Sequence, residues 1–104
     1  MRRLELERRL ADRLAQIAPA FWPTDAERSR VAAEVAEHYE FGRHAGIWQV
    51  NSGLQMPYPP DPSVGPTVFV VERGECYVYD DESEPRAEAI AAALNAIEAE
   101  LSQG

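Results

Sequence analysis

The chain contains no lysine, so all ten of its basic residues are arginine. It has one cysteine, Cys76, which excludes an intrachain disulfide. No apolar run approaches the ~20 residues needed to cross a bilayer. The opening MRRLELERRLADRL is interrupted by charge too often to serve as a secretory leader. These absences point to a cytoplasmic chain with no membrane partner. Positive charge is scarce overall: against ten arginines stand 18 acidic residues, giving a formal net charge of −8. Such a chain repels phosphate backbones and is not expected to bind nucleic acid. Alanine richness beside the arginine-only basic set suggests a GC-rich, bacterial coding origin.

At 104 residues the chain has the size of one domain, 1–104, with room for a core but little for a deep pocket besides. Leu6, Leu10, Leu14 and Ile17 recur at helical spacing and predict a first helix from about Arg3 to Ala18, stopped by Pro19. Phe21 and Trp22 lie between Pro19 and Pro23, where they would plug a joint between helices. Thr24-Asp25-Ala26-Glu27 is a capping box. Val31, Val35, His38 and Tyr39 follow on one side of a second helix, expected to run to Phe41 with Gly42 as its left-handed stop.

Helical period is then lost. Gly46 to Asn51 reads as a strand, and Thr67–Val71 with Glu75–Tyr79 reads as a hairpin around Arg73-Gly74. A three-residue loop with Gly74 at positive φ would keep Glu72 from facing Glu75. Ser83 and Pro85 open a third helix with a narrow stripe of Ile90, Leu94, Ile97 and Leu101. The fold class is therefore α+β, in the order α-α-β-β-β-α, with a small three-stranded antiparallel sheet that includes the 67–79 hairpin and is covered by helices.

Five of the eight prolines fall in residues 55–66. The stretch 52–66 is expected to be a proline-rich crossover loop. It is either a rigid connection pinned by Leu54, Met56, Tyr58 and Val64 or a preformed extended surface for recognition. In the expected register Tyr77 and Tyr79 share a face with Phe69 and Val71, while Val68, Val70, Cys76 and Val78 take the other. A hairpin apolar on both faces needs a cover, supplied by the chain itself, by a second copy in a homodimer, or by a partner.

No motif carries a named reaction. His38 and His44 lie six residues apart across a helix end, which is not the spacing of a zinc pair on one helical face. Cys76 sits in a strand, where a small core role is its ordinary use. No metal and no cofactor is expected. Asp80 to Glu84 lacks the alternating ligands and central glycine of a calcium loop.

Two function classes follow. The first is a non-catalytic protein-interaction module, of the acidic inhibitor, immunity or prophage-accessory kind, contacting its partner through Trp48, Met56, Tyr58, Tyr77 and Tyr79. The second is a small-ligand-binding protein or minor enzyme, with a site between sheet and helices near His38, His44 and Trp48.

Overall fold

The computed structural model describes residues 1–41, 46–54 and 67–103. Helix α1 spans Arg3–Ile17, and its buried residues Leu6, Leu10 and Leu14 stand one turn apart on a single stripe. Truncating any one of them to alanine would cost about 2–5 kcal/mol. The Ala18 N–H returns to the Leu14 carbonyl at 2.9 Å and closes the helix before Pro19. Trp22 is buried in the turn that follows, with Phe21 edge-on to it at 6.0 Å. The two aromatics thus fill the joint between helices, as the sequence implies.

Helix α2 spans Asp25–His38. The Thr24 hydroxyl accepts the Glu27 N–H at 3.2 Å, which forms one arm of the capping box. Arg28 adds a second tie by donating to the Trp22 carbonyl at 2.7 Å. The helix ends three residues before the expected Phe41. Tyr39 turns to extended backbone (φ −67, ψ 130), so it is Tyr39 that ends the helix. Gly42 lies outside the described residues.

Three strands follow: β1 (Gln49–Leu54), β2 (Thr67–Arg73) and β3 (Cys76–Asp81). They form one antiparallel sheet in the order β1-β2-β3. β1 and β2 are neighbours, and Leu54 stands directly opposite Thr67. Residues 52–54, expected at the start of the crossover loop, belong to β1. Residues 55–66, with Met56 and Tyr58, lie outside the described residues.

The β2–β3 turn also differs from expectation. Arg73 pairs with Cys76, leaving the two-residue loop Gly74-Glu75. Gly74 takes φ +62 while Glu75 stays at negative φ, the combination of a type II′ turn with glycine first. This register keeps Glu72 opposite Tyr77, so the feared Glu72–Glu75 clash does not arise. Further along, Val71 faces Tyr79 and Glu72 faces Tyr77, leaving Val78 as the extra residue of a β-bulge. The bulge breaks strict alternation, and Val78 and Tyr79 are consecutive and both buried. It corrects the expected faces. Tyr79 lies with Phe69 and Val71 toward the helices, whereas Tyr77 lies with Val70 and Glu72 on the outer face. Val78 is withdrawn into the core and no longer contributes apolar surface outside.

Helix α3 spans Glu84–Gln103 and packs on all three strands. The Ser83 hydroxyl accepts the Arg86 N–H at 3.4 Å at its start. Ile90, Leu94 and Ile97 are buried against Val71 and Val78 and against the α1 leucines. The architecture is a mixed α+β layer with helices on one side of an open three-stranded sheet. No helix among the described residues is long and apolar enough to cross a membrane.

Candidate functional site

The polar side chains gathered from the most distant elements meet at the C-terminal part of α3. Asn95 interrupts a helix built largely of alanine and glutamate, where it is a poor helix former. Its amide clamps the main chain just ahead of β1. The Trp48 N–H donates to Asn95 Oδ1 at 2.8 Å, and Asn95 Nδ2 donates to the Trp48 carbonyl at 3.0 Å. The amide stands in for a neighbouring strand, satisfying both backbone groups of one residue. It fixes the Trp48 side chain in the core, where that residue is 2 % exposed.

Over the buried indole lies the Arg73 guanidinium, its carbon 4.3 Å from the ring centroid. Arg73 Nη1 donates to Glu98 Oε1 at 2.6 Å, and the other Glu98 oxygen accepts the Tyr39 hydroxyl. The Tyr39 ring is tilted on Trp48 at 5.6 Å and meets Phe41 edge-on at 4.8 Å. Burial pushes the Tyr39 phenol up to about 12, with the Glu98 carboxylate acting in the same direction and Arg73 against it. The phenol is therefore a fixed donor to Glu98, and the carboxylate is held on both sides. The Arg73 side chain is only 7 % exposed and that of Glu98 25 %. Among the described residues, Arg73 Nη2 and Trp48 Nε1 are buried without an acceptor.

Above this floor opens a groove of about 590 Å³ between the end of α3, residues 39–41 and the approach to β1. Its rim is apolar. Of the large apolar side chains that stand exposed among the described residues, Met1, Phe41, Ile47 and Leu101 all border it, and Ile47 is 63 % exposed. Exposed apolar residues scattered singly mean little, but a cluster around a concave polar floor is the usual form of a binding site.

The residues singled out from the sequence fall in different places. Trp48 is beneath the groove and offers no surface of its own. Tyr79 is 6 % exposed and donates to Asp81 Oδ2 at 2.6 Å, so it too packs into the core. Tyr77 is exposed on the outer sheet face, bonded to Asp80. His38 is exposed at the end of α2, and it is the His38 main-chain carbonyl, not the imidazole, that accepts the Cys76 thiol at 3.5 Å. That contact gives no nucleophile–base pair. His44 lies outside the described residues. Among the described residues no three His, Cys, Asp or Glu side chains are grouped as metal ligands.

Sequence reasoning located the neighbourhood of Trp48 but missed Tyr39, Arg73, Asn95 and Glu98. Asn95 alone carried a local signal, as the one Asn in an Ala-Glu helix. Arg73 read as a hairpin-turn residue and Glu98 as one more solvated helix charge. Comparisons with family models, with curated proteins and with solved structures give no match for this chain.

Proposed function

We propose that this chain is a small-ligand-binding protein whose site is the groove over Trp48. The observation that carries the reading is convergence. Exposed apolar side chains from the N-terminus, the α2–β1 connection and the end of α3 surround a part-buried, hydrogen-bonded Tyr39–Glu98–Arg73 cluster. The floor is rigid because Asn95 and the indole hold it, and rigidity lowers the ordering cost of binding. Among the described residues, none in the groove forms a nucleophile–base pair, and the reading is binding without a chemical step.

The test is equilibrium dialysis against a small-molecule extract of the source cell, read by mass spectrometry. The wild-type chain is expected to enrich a compound that Ile47→Glu and Leu101→Glu variants do not. Both positions are exposed, so the variants should keep the wild-type melting temperature. Equal enrichment by all three chains, or none by any, would reject the groove.

A second reading keeps the interaction module and moves its surface. Tyr77 stands 44 % exposed on the outer sheet face beside Val70, with Glu72 and Asp80 near it. An aromatic anchor ringed by carboxylates suits a basic partner surface. Replacement of Tyr77 and Asp80 by alanine should then abolish capture of a protein partner while leaving ligand enrichment unchanged. A homodimer through the same face predicts a melting temperature that rises with protein concentration.

A further inference from the structure

We infer that the outer face of α1 is a self-docking surface, through which two copies of this chain pair antiparallel across a two-fold axis. This surface shares no lining residue with the groove over Trp48. Leu6, Leu10 and Leu14 turn inward from α1. Among the described residues α1 packs on α2 and α3 but on no strand, so its opposite side is the outside of the fold. On that side Leu4, Arg8, Ala11 and Ala15 recur at spacings of four, three and four. Such spacing is that of a seam between paired helices. Leu4 is 80 % exposed, more than any other large apolar side chain among the described residues.

The seam holds both a projection and the recess that fits it. A cleft of about 570 Å³ runs between α1 and the start of α2, with Ala11, Ala15 and Ser29 as its small lining and Leu4 toward its other end. Small side chains let two helices approach closely, and a leucine fills the space they leave. A second α1 running the opposite way lays each Leu4 over the partner's Ala15. The pairs Leu4–Ala15 and Arg8–Ala11 share one midpoint. A single two-fold axis crossing α1 between Arg9 and Leu10 therefore serves both. A self-complementary patch of this kind closes as a dimer and leaves no free end.

Charge selects the same occupant. Among the described residues Arg3, Arg9 and Arg13 each pair with a glutamate, whereas Arg8 and Asp12 pair with nothing, not even with each other. They stand four apart with the base first, the weaker order for a pair along one helix. Across the two-fold axis they come level: Arg8 stands beside the partner's Asp12, and Asp12 beside the partner's Arg8. A single copy leaves both charges to water, and a dimer forms two reciprocal ion pairs beside the Leu4 contacts. A different protein would have to present the same alternation of sign in reverse order, which a second copy does by symmetry. The contact covers about three turns of one helix from each copy. It is smaller than a standard interface, so the dimer is expected to assemble only at roughly 10–100 μM protein.

The test is sedimentation velocity of the full chain from about 5 to about 1,000 μM, a span that brackets that range. The wild type should pass from monomer to dimer, and Leu4→Glu should stay a monomer. Arg8→Asp and Asp12→Arg should each weaken self-association about tenfold or more, because like charges then face each other across the axis. Mixed in equal amounts, these two variants should associate as the wild type does, since one chain offers two acids and the other two bases at the paired positions. All three positions are exposed, so circular dichroism at the lowest concentration should report the same helix content for every chain. A wild type that stays monomeric throughout refutes the surface. A dimer that survives Leu4→Glu, or that Tyr77→Ala dissolves, lies elsewhere and refutes it as well. A dimer lost in both charge variants and not restored by mixing them refutes the antiparallel pairing.

Discussion

Glu98 and Glu100 sit two residues apart on α3, each paired with an arginine, and they do different work. Glu100 faces α1, where it pairs with Arg13 and reaches Arg9 at 4.0 Å. Its side chain is 49 % exposed and that of Arg13 25 %. Water competes for these charges, and such a pair contributes about 0–1 kcal/mol. Glu98 faces the groove, and its partner Arg73 is almost fully withdrawn from water. Its partners come from α3's neighbours in space, Tyr39 and Arg73, which are 59 and 25 residues away in the chain. The same residue type is a surface latch in one direction and the structural centre of the groove's floor in the other. Desolvation makes the difference: an arginine sealed over an indole cannot recover hydration if its carboxylate is removed.

The sharpest way to break this comparison is Glu98→Ala. We expect it to lower the unfolding free energy by about 2–3 kcal/mol, somewhat below the figure for a fully buried pair because Glu98 keeps some exposure. Urea unfolding measures it, and a loss equal to that of Glu100→Ala would show that burial is not the deciding variable. Adding Arg73→Met to Glu98→Ala should restore more than half of the loss, since the stranded charge is then gone and the methionine can still pack on Trp48.

Asn95→Ala should cost about 1–3 kcal/mol, because it strands the Trp48 N–H and carbonyl. Weaker amide protection at Trp48 and Gln49, read by hydrogen exchange, would localise the effect. The Tyr39 contribution has a pH window with a definite sign. Its pKa rises from the ordinary 10 to about 12 on folding, so the folded state holds the proton longer. Its stabilisation is complete below pH 10 and is lost as pH rises toward 12. Wild-type stability should fall more steeply than that of Tyr39→Phe across that interval. The smallest effect is Glu100→Ala, at about 0.5 kcal/mol or less, and 0.5 M salt should erase it.

The order of elements was legible because each rests on short-range pattern. Leu6, Leu10 and Leu14 repeat at one turn, Thr24 caps with Glu27, and Gly74 takes the positive φ that its turn requires. The faces of β3 were not legible, because a single bulge at Val78 reverses every side chain beyond it and leaves no mark in composition. That one residue separates Tyr77 from Tyr79 and removes half of the expected aromatic surface. The site was legible only as a neighbourhood. Trp48 draws attention as a large aromatic, but its burial depends on an amide 47 residues away.

The sequence by itself determined the helices, the strands, their order and the acidic balance, since periodicity, capping and turn chemistry act over a few residues. Tertiary structure alone decided which charges are solvated and which are sealed. Arg73, Glu98 and Tyr39 resemble ordinary surface residues until the sheet, the end of α2 and α3 bring them over one indole. Hydration, and with it the energetic weight of a charge, is a property of everything packed around it.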